Sequence, residues 1–438
     1  MKTTKSCKAE FPKPARRIAG QRQDVWLVRS RFFSDKHEAD FWKRTIINDA
    51  AARSMVKPVV NMGQGFFGYN PPEFIMDAAK EAVTKVDSNQ YSPTTGRPSL
   101  KRAIAESYSE ALKTKIDPDT EVTITTGANE DHGDEVIVFE PFFDQYISNI
   151  EMAGGKVRYV PLNPPKSGNH TTSSSADWVV DIEKLRDTIS PRTRMIVINT
   201  PHNPVGKVFS RSELEEISQL CVENNIIILS DEVYDSLHYV PITRVATLSQ
   251  QVRDLTLTVG SAGKSFYATG WRIGFLIGPQ HLIKHVSAAH TRVCYSSPSP
   301  LQEACATGYT LAGVNGFWEE SRSSMQGKIK RFVEVCDELG LPYSDPEGGY
   351  FVLVNLSKVK IPNSYEFPAH VASRPRDFKL SWFLIMELGI AAIPPTEFYL
   401  PNNSSLAENY LRFAICKEDS VLENAKERLR GLKKYIEP

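Results

Sequence analysis

The stretch Leu255-Thr-Leu-Thr-Val-Gly-Ser-Ala-Gly-Lys-Ser-Phe-Tyr-Ala-Thr-Gly-Trp-Arg272 joins a β-branched apolar run to a loop of small residues carrying one lysine. The run predicts a buried strand over 255–259. Lys264 then lies just past a strand end, with Ser261 before it and Arg272 after it. Alone, a Ser-x-x-Lys is a loop with a solvated lysine, so the neighbouring segments decide. Two similar units precede it. Met195-Ile-Val-Ile198 closes in Asn199-Thr-Pro-His-Asn-Pro-Val-Gly206, and Ile226-Ile-Ile-Leu229 ends at Asp231-Glu-Val-Tyr234. Glu135-Val-Ile-Val-Phe139 runs into Glu140-Pro-Phe-Phe143, and Phe275-Leu-Ile277 is a further short strand. Ser210 and Glu213 form a capping box for a helix that buries Leu214, Ile217 and Cys221.

Strands alternating with helices predict an α/β fold: a mostly parallel central sheet with helices on both faces. Ligands of such sheets bind beyond the carboxyl ends of the strands. Phe143, Asn203, Asp231, Tyr234 and Lys264 all fall just past those ends. The C-terminal part changes texture. Gly348-Gly-Tyr-Phe-Val-Leu-Val-Asn355 and Tyr410-Leu-Arg-Phe-Ala-Ile415 read as strands, and 382–388 and 419–435 as helices. A smaller α+β domain over 322–438 follows, beside a large domain over 69–321. The N-terminal arm, 1–68, is expected to join the small domain.

The 438 residues suit a large and a smaller domain. Lys+Arg and Asp+Glu are equal at 52 each, which leaves no basic field for nucleic acid. No apolar run reaches membrane-span length. Six cysteines without metal spacing read as reduced thiols of an intracellular, cytoplasmic chain, and no metal site is expected. Lys2, Lys5, Lys8, Lys13, Arg16, Arg17 and Arg22 against Glu10 give a weaker mitochondrial signal. Thr171-Thr-Ser-Ser-Ser175, with 166–169, reads as a polar surface loop.

A lysine amine forms Schiff bases with carbonyl compounds, and pyridoxal 5′-phosphate is the common cofactor that uses this. Asp231, closing an apolar strand, needs a donor or cation: a protonated ring nitrogen, or the N-terminus of a following helix. Asn203 and Tyr234 suit donation to a ring oxygen, or are a turn asparagine and a core tyrosine. Phe143 is a stacking platform or core. Arg412, inside an apolar strand, meets a substrate carboxylate or a structural Asp or Glu. The turn Gly63-Gln-Gly65-Phe-Phe-Gly68 lets backbone approach a ligand, or is a plain turn.

Together with Gln90-Tyr91, Thr126-Gly-Ala-Asn129, Glu140-Pro-Phe-Phe-Asp144 and Leu411-Arg-Phe413, these segments resemble the kynurenine aminotransferases. These are class I/II, fold-type I enzymes also called glutamine transaminase K or cysteine-S-conjugate β-lyase. The resemblance runs from about Arg17 onward and is nearest to the fungal members. It implies pyridoxal 5′-phosphate and transamination of L-kynurenine and other aromatic or sulfur amino acids with a 2-oxo acid, giving kynurenic acid. β-Elimination is the alternative outcome. By resemblance, Lys264 carries the cofactor and Asp231 meets its ring nitrogen. Asn203 and Tyr234 contact the ring oxygen, and Phe143 stacks. Ala128, Asn129, Ser261 and Arg272 hold the phosphate. Arg412 binds the substrate carboxylate with Asn203 and the Gly65 backbone, and Tyr91 reaches a neighbouring subunit's site in a homodimer.

Two stretches depart from the family. Residues 27–44 read as an insertion without period. After Glu130 the connection to the next strand is short by roughly ten residues, about 15 Å of helix. This puts phosphate binding at risk, so a non-catalytic product with the same fold stands beside the enzyme reading.

Overall fold

The computed structural model describes residues 49–125, 134–165 and 170–436. Its centre is an eight-stranded sheet. The strands lie in the order Val122–Thr125, Gly274–Ile277, Thr256–Ser261, Ile227–Asp231, Thr193–Asn199, Glu135–Glu140, Lys156–Asn163, Val179–Val180. The block from Thr256–Ser261 to Lys156–Asn163 is parallel. Gly274–Ile277 runs antiparallel to both its neighbours, and Val179–Val180 is antiparallel to Lys156–Asn163.

Both faces of this sheet are apolar, because alternate residues point to opposite sides and both sides are covered. Ile137, Phe139, Ile196 and Ile198 pack with Leu214 and Ile217 of the helix Arg211–Asn224. Their in-between neighbours Val138 and Val197 pack with Ile150 of the helix Asp144–Met152. Ser210 caps the first of these helices, with Glu213 closing the box as expected.

A second, four-stranded sheet joins Tyr410–Ala414, Phe351–Asn355, Tyr343–Asp345 and Ser173–Ser174. Its core gathers Val352, Val354, Leu411, Phe413, Leu380, Leu384 and Leu422. Val60–Asn61 pairs with Ile390–Ala391, so the chain ahead of the large sheet meets C-terminal residues. The helix Phe317–Glu338 runs unbroken across the expected division between 321 and 322. Among the described residues no helix is long and apolar enough to cross a membrane.

One expectation is corrected. The 171–175 stretch is not a plain surface loop. Ser173–Ser174 pairs with Ser344–Asp345, and buried Ser175 donates to Gly206 O and accepts from Glu347 N. Its polar side chains mask a segment whose backbone is consumed in sheet pairing.

The insertion at 27–44 lies outside the described residues, as do 126–133, the site of the shortened connection. Thr125 and Glu135 are separated by five strand spacings, about 24 Å at ~4.8 Å each. The ten peptide steps joining them reach about 33 Å. Thr125 ends its strand and Glu135 begins one that runs the same way, so the ten steps must also cover the length of the sheet, which leaves little slack.

Candidate active site

The parallel block aligns strand ends, and register does the rest. Asn199 pairs with Asp231, and Asp231 with Val259, so three loops open along one edge. The backbone N–H of Thr200 and the Asn199 side-chain amide both donate to Asp231 O at 3.0 Å, locking two loops together. Asn203 N donates in turn to Asn199 Oδ1 at 2.7 Å. The edge is lined by Pro141, Phe143, Tyr146, Asn199, His202 and Asn203, which frame a shallow, open cleft.

Lys264 sits in one helical turn, Ala262–Ser265, directly after the strand Thr256–Ser261, where the sequence suggested a loop. A Cβ on Gly263 would come within 3.1 Å of Ala268 O, so a side chain there would press on the returning backbone. Arg272 returns alongside, because Gly274 pairs with Ser261. Arg272 has φ 58°, and Tyr267 φ 62°. Such left-handed backbone costs about 1–2 kcal/mol for an L-residue, and strain of this kind clusters at ligand sites. The Arg272 guanidinium donates to Thr269 O and makes no ion pair among the described residues.

Asp231 does not cap a helix; a turn follows it. Its Oδ2 accepts from the Tyr146 hydroxyl, and its Oδ1 from Val233 N at 3.2 Å. Burial pushes its pKa up, while the Tyr146 hydrogen bond, the Val233 N–H and the charge of Lys264 pull it back. No cation pairs with it among the described residues. Tyr146, three residues after Phe143, was not singled out from the sequence. Phe143 is 39% exposed and meets Tyr146 edge to face at 5.6 Å, so it belongs to the cleft and not to the core.

Arg412 enters from the strand Tyr410–Ala414 of the second sheet. Its Nη1 donates to Asn203 Oδ1 at 3.1 Å and its Nη2 to Gly63 O at 3.0 Å. Nε has no hydrogen-bond partner and no carboxylate pairs with the fork among the described residues. The structural Asp or Glu weighed from sequence is therefore not found there. Phe351 and Phe398 cover the guanidinium at 4.3 and 5.1 Å, and burial lowers its pKa.

The glycine turn lies beneath. A Cβ on Gly65 would strike Phe351 at 2.7 Å. Lys417 Nζ holds this turn by donating to Gln64 O at 2.8 Å and Phe66 O at 2.7 Å. Tyr234 is buried, with the Lys264 amine 5.6 Å from its ring centre. Tyr91 lies apart, 86% exposed and edge to face with Tyr295 at 5.8 Å. Ala128 and Asn129 lie outside the described residues.

The charges left unpaired define what fits. A buried carboxylate suits a cationic ring nitrogen, and a lysine amine suits an aldehyde. The Arg272 and Arg412 guanidinia suit a phosphate and a carboxylate. Pyridoxal 5′-phosphate with an amino acid supplies all four partners.

The family model described as aminotransferase class I and II matches residues 57–429. A probable kynurenine–oxoglutarate transaminase of Saccharomyces cerevisiae is 49% identical over 428 residues, covering 94% of this chain and 96% of the yeast protein. A human kynurenine–oxoglutarate transaminase is 34% identical over 394 residues, covering 86% and 92%. The crystal structure of a putative kynurenine aminotransferase from the same yeast superposes with a TM-score of 0.88 at 49% identity. It covers 90% of this chain and 96% of that one.

Proposed function

The chain belongs to the class I and II aminotransferases, a family that works with pyridoxal 5′-phosphate, and we propose that it moves the amino group of L-kynurenine and related aromatic or sulfur-containing amino acids to a 2-oxo acid. When bound, the cofactor supplies the electron sink that lets a proton leave the substrate carbon next to the amine. Everything else falls to the protein's own groups.

Asp231, which accepts two hydrogen bonds, would face the ring nitrogen. Asn203 spends its Oδ1 on Arg412, which turns its Nδ2 away as a donor for the ring oxygen, beside the Tyr234 hydroxyl. Phe143 covers one ring face. Ser261 and Arg272, with Ala128 and Asn129, would hold the phosphate. Arg412 takes the substrate carboxylate with its fork, next to the backbone of Gly65. Lys264 Nζ would hold the cofactor's aldehyde carbon, and its free amine would take the proton from the substrate Cα. The 2-oxo product of kynurenine then closes on its own aniline nitrogen to give kynurenic acid. Tyr91 extends toward the site of a second copy in a homodimer. A cytoplasmic setting accords with the five free thiols of the described residues.

The observation that carries this reading is the buried Arg412 fork, which meets Asn203 and Gly63 O but no carboxylate among the described residues. The choice of kynurenine leans on the activity for which the yeast and human relatives are named. The test incubates purified protein with pyridoxal 5′-phosphate, L-kynurenine and 2-oxoglutarate. Kynurenic acid and glutamate should form in equal amounts; glutamate from other amino acids but none from kynurenine would refute the substrate, and none from any would refute the activity.

A further inference from the structure

The Lys264 amine has one hydrogen-bond partner among the described residues, and it is a tyrosine from the other sheet. Lys264 Nζ lies 3.0 Å from the hydroxyl of Tyr350. That hydroxyl lies 3.0 Å from Gly65 O. A carbonyl cannot donate, so the contact with Gly65 uses the phenol proton, and toward Lys264 the phenol oxygen is an acceptor, with the Tyr234 hydroxyl also in hydrogen-bond reach of it. Burial holds the Tyr350 pKa well above its ordinary value, so the phenol stays neutral and keeps that polarity.

The backbone leaves Tyr350 little freedom. Gly349, at φ 73°, donates its N–H to Leu237 O at 2.7 Å, and Ile415 N donates to Tyr350 O at 2.9 Å. A Cβ on Gly348 would meet Pro201 at 2.7 Å, so the strand entry presses against the Asn203 loop. The ring is wedged between Phe67 at 5.2 Å, Tyr234 at 5.3 Å and Phe351 at 4.7 Å. Tyr350 is fully buried. Such a phenol is a fixed point, and a flexible lysine that binds it is aimed.

We propose that Tyr350 is a positioning residue for Lys264: it accepts a hydrogen from the free amine, directs the nitrogen lone pair into the cleft, and ties the lysine to the Gly65 turn beneath Arg412. This rests on the reading of Lys264 as the residue that carries the cofactor. The amine is free twice, before the cofactor attaches and after the substrate displaces it. At both moments the acceptor keeps a four-carbon side chain from wandering.

Tyr350→Phe keeps the ring and removes the acceptor. The full-length protein, freed of cofactor, is exposed to cyanate at fixed pH, and carbamoylation of Lys264 is read by peptide mass spectrometry, with exposed Lys80 as internal reference. Capture of pyridoxal 5′-phosphate at Lys264, fixed by borohydride, is timed in parallel. The amine released from its hydrogen bond should react with cyanate about threefold faster, the size set by one ordinary hydrogen bond. The amine no longer aimed should capture the cofactor about threefold more slowly. The opposed directions separate aiming from loosening, which would speed both, and from collapse, which would slow both. 3-Fluorotyrosine at position 350, a weaker acceptor of nearly the same shape, should move both rates the same way by less. Wild-type rates at Lys264, or rates that move together, overturn the proposal. A wild-type chain that captures no cofactor sinks the proposed function instead, and the cyanate comparison still decides the role of Tyr350.

Discussion

Arg412 Nη1 and Asn203 Oδ1 lie 3.1 Å apart, so one hydrogen bond joins the small sheet to the loop that closes the strand Thr193–Asn199. This contact sets the guanidinium plane against the cleft and chooses which end of Asn203 faces it. Replacing Arg412 with Lys keeps a charge but loses the fork, which two acceptors already share. Arg412→Lys should lower kcat/KM for amino acid and 2-oxo acid alike by about 100-fold, roughly 2.7 kcal/mol, mainly through KM. Steady-state kinetics with both substrates varied reads this directly.

Tyr146 steadies Asp231. Its hydroxyl pulls the Asp231 pKa down against the burial that raises it. Tyr146→Phe removes the donor, raises that pKa further and reduces the charge offered to a ring nitrogen. Cofactor affinity should fall about tenfold, the size of one charge-assisted hydrogen bond. Equilibrium titration of the cofactor-free protein with pyridoxal 5′-phosphate measures it.

His202 gives the fold a pH dependence. It is buried, its Nδ1 has no partner among the described residues, and burial with the nearby Lys207 charge lowers its pKa to about 3. A histidine depressed below its unfolded value of 6.5 contributes stability above that pH and loses it as pH falls toward the folded value. Between pH 6.5 and 5 the loss is about 2 kcal/mol. His202→Leu should remove this slope, so the wild type should lose about that much more than the variant in urea denaturation at pH 5 relative to pH 7.

Glu140 joins the large sheet to the segment that carries Phe398. Its carboxylate, fully buried, accepts from Leu400 N at 2.5 Å and from Asn403 Nδ2 at 2.6 Å. Phe142 N donates to Phe398 O at 2.9 Å on the same border. Glu140→Ala strands both donors and should cost about 3 kcal/mol of stability. Because Phe398 covers Arg412, KM for the amino acid should also rise. Urea denaturation and kinetics on one preparation test both.

The central sheet was legible in the sequence because its strands are short β-branched runs that stop at Asn-x-x-x-Asn-Pro, Asp-Glu and Ser-Ala-Gly-Lys segments. Asp231, Asn203 and Lys264 could be placed at strand ends from that pattern alone. What escaped depends on distance along the chain. Tyr350 meets Lys264 across 86 residues, and a Gly-Gly-Tyr start to a strand shows only a tight entry, not where the phenol points. Tyr146 follows Phe143 by one helical turn, a spacing that could have flagged it once Phe143 was placed in the cleft. Ser173–Ser174 read as loop because its side chains are polar, while its pairing is made by backbone. The surroundings of Arg412 and Phe143 are made by three-dimensional neighbours, which local period does not encode.

The most direct test is to add pyridoxal 5′-phosphate to the purified full-length protein, reduce with borohydride and map the modified peptide. The account predicts one stoichiometric label at Lys264, lost when L-kynurenine is added before reduction and absent in Lys264→Ala. Labelling spread over surface lysines, or a label at Lys264 that kynurenine never displaces, would contradict it.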